Sequence, residues 1–289
     1  MVPVPNRSPK VWWSIGKRVL DAIGEKRLSL IAAGIAFFGI LALFPAIAAI
    51  IALWGIVGDP QAILPVMERY SVLLAADEST LGWTTLLSIF LALWSARAGV
   101  AALMQGMNAV YEERNRGGLA HYLTAFGLTV ELILVALVAI SAVLLVPAIM
   151  ALVPLGALAT VAVEVGRWLV AVGILFLGAG LIYRYGPNRR AARLPWITPG
   201  AVLAVFLWAG ASVAFSIYLT NFGNYNEVYG SIGAVIALLM WLFISGFLLL
   251  LGAALNAELE RHTEPDSTIG RDRPLGERGA QAADTYVEI

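Results

Sequence analysis

YGSIGAVIALLMWLFISGFLLLLGAALNAELER, residues Tyr229 to Arg261, decides the fold. No charge interrupts it between Tyr229 and Asn256, and it closes in a polar tip at Asn256, Glu258, Glu260 and Arg261. About 20 uncharged apolar residues in a helix cover a hydrocarbon core of roughly 30 Å. The run is longer than that and reads as a membrane-crossing helix. Composition extends the reading to the rest of the chain. Of 289 residues, 60% are hydrophobic and 13% charged, against roughly 25% charged in a soluble domain. Lipid must therefore cover part of the apolar surface.

Working outward, more apolar runs of spanning length appear. Leu28 to Val57 carries no charge, holds Pro45, and shows a stripe of small residues at Ala32, Ala36 and Gly39 where a neighbouring helix can come close. A second span starts near Leu81, crosses by about Ala102 and continues as helix through MQGMNAVYEER. The third is Ala125 to Pro154 and the fourth Trp168 to Tyr185, entered through Glu164 and Arg167. The fifth opens at Thr198-Pro199, an N-cap residue followed by proline at the first helical position, and runs to about Thr220. The expected fold is all-α, a polytopic membrane protein with a bundle of six transmembrane helices plus short interfacial helices.

Three regions follow. Residues 1–27 form a leader in which Trp12, Ile15, Val19 and Ile23 share one helical side and Lys17, Asp21 and Glu25 another, as in a helix lying at a membrane surface. Residues 28–261 form the transmembrane domain. Residues 262–289, rich in Pro, Gly and charge, are expected to be disordered. In the connection Asp59 to Thr80, Ile63, Met67, Tyr70 and Leu74 recur at helical spacing and predict a short surface helix. No cleavable signal peptide is visible, because the polar, basic start leads into an apolar run too long for one.

Sixteen of the nineteen Lys and Arg fall on one side: the N-terminal leader, the second-to-third loop, the fourth-to-fifth loop and the tail. By the positive-inside rule that side is cytoplasmic. Both termini are then expected in the cytoplasm of a multi-pass protein of the bacterial inner membrane.

Charges inside spans are costly and tend to face protein or water. Arg97, in LWSARAGV, and Glu131 fall at similar depth on neighbouring spans, so they are candidates to pair or share a polar cavity. The plainer reading is a packing ion pair, or an Arg97 that snorkels to the headgroups. Asn256 and Glu258 join them as candidate transport contacts. Arg184, Arg189, Arg190 and Arg193 are candidate contacts for lipid phosphates, or else only the topogenic signal. Asn221, Asn224, Tyr225 and Asn226, in the outer loop, are candidates to bind a headgroup or partner, or else an ordinary hairpin.

No enzyme constellation appears: no G-x-S-x-G elbow, H-E-x-x-H, P-loop or Rossmann fingerprint. There is no Cys, and His121 and His262 are the two His. The chain is expected not to be an enzyme, to need no metal or cofactor, and to bind no nucleic acid. Its Trp residues suit interface belts.

With those residues in view, the chain resembles the YihY/BrkB family of bacterial inner-membrane proteins. SLIAAGIAFFGILALFP (Ser29 to Pro45), LWSARAGVAALMQGMNAVYEE (Leu93 to Glu113), YRYGPNR (Tyr183 to Arg189), and YGSIGAVIALLMW with LGAALNAELE (Tyr229 to Glu260) carry the likeness. The resemblance implies six helices in the inner membrane, with members associated with serum resistance or with handling of lipid A precursors. A ribonuclease label once attached to the family finds no metal-ligand cluster here to support it. Where the family's last motif often reads G-A-E-L-N-A-E, Ala254 replaces the first Glu, which puts any role of that carboxylate in doubt. Two functions follow as expectations: a transporter or accessory for lipids or other amphiphiles of the envelope, with membrane lipids as partners, or a non-transporting scaffold. The scaffold would dock envelope proteins or self-associate through the Asn221 to Tyr229 loop or the Ile63 to Leu74 helix.

Overall fold

The computed structural model describes residues 9–57, 78–152, 156–189, 197–221, 225–263, 266–268 and 271–286. The elements are α1 (Pro9–Glu25), α2 (Leu28–Val57), α3 (Glu78–Tyr111), α4 (Gly118–Leu152), α5 (Ala157–Tyr185), α6 (Pro199–Asn221), α7 (Tyr225–Arg261) and α8 (Gln281–Asp284). Five stretches, in α3 to α7, are long and apolar enough to cross a membrane; α1 with Leu28–Leu43 of α2, bent by 60°, brings the number to six. The surface helix expected over Ile63 to Leu74 lies outside the described residues.

Several helices outrun their apolar cores. α4 begins at Gly118, α5 at Ala157 and α7 at Tyr225, each earlier than hydropathy alone suggests. No proline falls in these opening turns to break the hydrogen-bond ladder, so they stay helical. The 37 residues of α7 correspond to about 55 Å of helix at 1.5 Å per residue. At the entry of α6, the Ala201 N–H donates to Thr198 Oγ1 at 3.0 Å, the cap expected from Thr198-Pro199.

The small-residue stripe of α2 does what its spacing implies. Ala32 and Ala36 are buried, and a Cβ placed on Gly39 would sit 3.2 Å from the Leu242 side chain of α7. α3 closes on the same helices at Gly106, where a Cβ would meet Leu250 at 2.5 Å. The largest buried side chains, Tyr111, Tyr183, Ile15, Leu28, Met104, Met107 and Leu250, gather at the end where α3, α5 and α7 finish and α2 begins. Along the spans many large apolar side chains, among them Leu134, Leu169, Phe206 and Ile232, face outward, as lipid-solvated helices require.

α1 folds back on this end. Ile15, Val19 and Ala22 bury against the bundle, while Trp13 (79% exposed) and Leu20 face away. The elbow between α1 and α2 puts Arg27 at φ 52°, a left-handed geometry that costs a non-glycine residue about 1 kcal/mol or more.

The described part of the tail departs from the disorder expected of 262–289. Asp266 accepts from the Thr268 and Arg273 N–H groups. Asp284 accepts from those of Gly276, Arg278 and Gly279. Ala280, Ala282 and Ala283 are buried, and the Gln281 N–H donates to Glu113 Oε1 at 2.7 Å. Burial of Glu113 raises its carboxyl above the usual carboxylate range, with the Gln281 hydrogen bond acting the other way.

Candidate functional site

Three of the quoted segments, far apart in sequence, meet at the basic end of the bundle. The Asn108 side chain accepts from the Asn188 N–H at 2.6 Å and donates to Asn115 Oδ1 at 2.8 Å. Asn188 Nδ2 donates to the Arg114 carbonyl at 2.7 Å. Arg116 donates to the carbonyls of Tyr185, Gly186 and Pro187, at 3.2, 2.8 and 2.7 Å, and so satisfies the free carbonyls at the C-terminus of α5. Beside this knot Arg189 ion-pairs with Glu260 at 2.5 Å, with the two side chains only 2% and 5% exposed. Its guanidinium lies 4.2 Å from the centre of the Tyr111 ring, and Ser267 donates to the other Glu260 oxygen. Burial works against the charge on Arg189, but Glu260 more than offsets it, so the guanidinium holds its proton more firmly than usual.

A second group of charges forms a chain. Lys26 binds Glu112 at 2.6 Å, Arg261 lies 3.4 Å from the same carboxylate, and Arg261 also pairs with Glu258. Glu112 sits at φ 59°, a left-handed position just past α3 that directs the chain out of the helix. The hydrogen bond from Lys26 holds the Glu112 carboxyl below the usual range; burial opposes this and Arg261 assists. A carboxylate with a lowered native pKa stabilises the fold fully above its unfolded pKa, and this contribution is lost as pH falls through the native value. Acidification through that window is therefore expected to loosen the α1–α2 elbow. The check is hydrogen exchange over residues 20–28, corrected for intrinsic rate. Lys26→Gln should show the weakened protection already at neutral pH.

The chain borders a cavity of about 520 Å³. One wall is α1, with Lys17, Arg18, Asp21 and Glu25; the other is the end of α3 and α7, with Glu112, Ala254, Glu258 and Arg261. Thr285 of the tail reaches its edge. Glu258 is buried, and among the described residues its Oε2 has no hydrogen-bond partner.

The candidates from sequence fall into place unevenly. Glu258 lines the cavity. Asn256 does not: its Oδ1 accepts from the Gly200 N–H at 2.8 Å and its Nδ2 donates to Thr198 Oγ1 at 2.9 Å, so both amide ends tie α7 to the start of α6. Asn256→Ala strands a buried N–H and is expected to cost about 1–3 kcal/mol, read as a lowered unfolding midpoint in detergent. Arg97 and Glu131 do not pair with each other, and among the described residues neither forms an ion pair. Arg97 instead lies 4.9 Å from the Trp94 ring centre and 4.7 Å from that of Tyr122, and Glu131 is exposed. Two aromatic faces supply the cation's partners without bringing the carboxylate in.

Arg189 is turned inward to Glu260 and does not present itself to lipid phosphates, because a buried carboxylate needs a cation. Arg184 is half-buried beside the Tyr185 ring; Arg190 and Arg193 lie outside the described residues. The expected outer loop is largely helical. Asn221 ends α6, and Tyr225 and Asn226 open α7, while Asn224 is outside the described residues. Lys26, Glu112 and Glu260 were not among the candidates. Each stands just beyond an apolar run, where a charge reads as a solvated helix end.

A family model described as "Virulence factor BrkB" matches residues 19–275. A Bacillus subtilis (strain 168) protein, YfkH, named as ribonuclease-like, is 32% identical over 257 residues, covering 81% of this chain and 91% of its own. A UPF0761 membrane protein of Idiomarina loihiensis is 32% identical over 95 residues, a third of each chain. One of Xanthomonas campestris pv. campestris is 37% identical over 101 residues, or 32% of this chain and 24% of its own. No solved structure matches.

Proposed function

From the premise that this chain belongs to the BrkB family of membrane proteins, we propose that it handles lipids or other amphiphiles, as a transporter or an accessory to one. The observation that carries the reading is the cavity of about 520 Å³ between α1 and the ends of α3 and α7. Its size falls in the range of small-ligand sites, roughly 300–1,000 Å³. Trp13 and Leu20, exposed on α1, suit a helix seated at headgroup level, so the cavity would lie where headgroups are. In this reading the protein sits in the bacterial inner membrane with its basic end, cavity and termini in the cytoplasm. The cavity also carries exposed Lys17 and Arg18 on its α1 wall, charges suited to holding an anionic headgroup.

The test is reconstitution in liposomes with labelled lipids. The wild type is expected to speed lipid movement between leaflets, and the Lys17→Gln/Arg18→Gln variant to slow it. Movement no faster than in protein-free liposomes would remove the transporter reading. The scaffold alternative rests on residues 221–229 and 63–74, of which 222–224 and 63–74 lie outside the described residues.

A further inference from the structure

The cavity's charges divide into two sets. Lys26, Glu112, Arg261 and Glu258 are joined by ion pairs. On the α1 wall Lys17, Arg18, Asp21 and Glu25 are exposed, and among the described residues no ion pair holds them. The site therefore offers unengaged charge of both signs, and a ligand of one sign would leave half of it unanswered. Glu258 adds a more specific demand. One of its oxygens is taken by Arg261. The other, Oε2, is buried and among the described residues has no hydrogen-bond partner. A buried carboxylate oxygen left unsatisfied costs about 1–3 kcal/mol or more, and a ligand that donates to it recovers that cost.

The geometry points to the headgroup of a zwitterionic, primary-amine phospholipid, a phosphoethanolamine ester, as the ligand of this cavity. The phosphate would face Lys17 and Arg18, and the ammonium would donate to Glu258. This deepens the proposed handling of amphiphiles and rests on it. Phosphocholine has the same net charge, but its quaternary nitrogen has no N–H to give. Quaternary ammonium groups are recognised by aromatic cages, and among the described residues the lining of this cavity contains no Trp, Tyr or Phe. Phosphoglycerol supplies the phosphate but no cation for Asp21, Glu25 and Glu258.

The test uses the full-length protein in phosphatidylglycerol nanodiscs carrying equal small fractions of phosphatidylethanolamine and phosphatidylcholine. Lipids that stay with the protein through a detergent wash are counted by native mass spectrometry. Wild type should keep phosphatidylethanolamine over phosphatidylcholine by about tenfold, the value of one hydrogen bond to a charged acceptor. Glu258→Gln should bring that ratio close to unity. Lys17→Gln/Arg18→Gln, at exposed positions that spare the fold, should lower phosphatidylethanolamine retention by about threefold. Should Glu258→Gln fail to assemble, the wild-type ratio and the double variant decide. Equal retention of the two lipids by wild type, or retention unchanged in the double variant, overturns the assignment. So does full displacement by an equimolar amount of free O-phosphoethanolamine, which would make the soluble ester the ligand. Lipid movement in liposomes without this preference removes the assignment alone; the preference without movement removes the transporter reading alone.

Discussion

Arg189→Met is expected to lower the stability of the bundle by about 3–5 kcal/mol, because it leaves Glu260 as a buried charge without its counter-ion. The pair meets at 2.5 Å with both side chains almost wholly covered, so water cannot replace the guanidinium. Part of the loss comes from the Tyr111 ring, which gives up a cation 4.2 Å from its centre; a desolvated contact of this kind is worth about 2 kcal/mol. Ser267 still donates to Glu260 but supplies no charge. The unfolding midpoint in detergent micelles is the readout. Arg189→Met with Glu260→Leu removes both charges, and this double variant should recover most of the loss, since a buried pair is roughly matched by apolar residues of similar size. A single-variant loss below about 1 kcal/mol, the level of an exposed pair, would show that the two side chains are wetter than their burial implies.

Gly200→Ala should prove comparably damaging. An added Cβ would lie 2.0 Å from the Gly252 carbonyl oxygen and 2.6 Å from the Asn256 side chain. Neither neighbour can yield cheaply. The first is helix backbone, and the second is held by its bonds to Gly200 and Thr198. Gly252 presses equally close from α7, with a Cβ there meeting Gly200 O at 2.4 Å and Tyr183 Oη at 2.3 Å. The helices must separate, at a cost of about 3 kcal/mol, the upper end for overpacking. Gly34→Ala, with nothing within 4 Å of its new Cβ, should instead stabilise by up to about 1 kcal/mol through helix propensity. Opposite shifts in melting temperature for the same chemical change are the expected result. A neutral Gly200→Ala would contradict the close approach of α6 and α7.

The spans were legible because bilayer thickness converts directly into a length of apolar sequence, and Thr198-Pro199 marked the start of α6 by local chemistry. The candidate site was legible only in part. Glu258 announced itself at the tip of the longest run, but the cavity it lines is closed by α1, and nothing local in Val11 to Arg27 says that this helix folds back on α7. Arg97 and Glu131 looked like partners because depth along a span can be read from sequence, whereas rotation about the helix axis cannot. The tail misled for another reason. Its order comes from Asp266 and Asp284 collecting backbone N–H groups and from small buried alanines, neither of which produces hydrophobic periodicity. The departure at Ala254 falls on the cavity wall itself.

The two walls of that cavity differ in how much the rest of the molecule depends on them. Changes in Glu258, Arg261 or Glu112 unravel a shared electrostatic lattice, whereas Lys17, Arg18, Asp21 and Glu25 can be exchanged with little penalty to folding. Lys17 and Arg18 even precede the segment, 19–275, that the family model matches. The exposed charges of α1 are therefore free to drift among descendants of this scaffold, while Glu258 and the ion pairs around it are inherited with the fold.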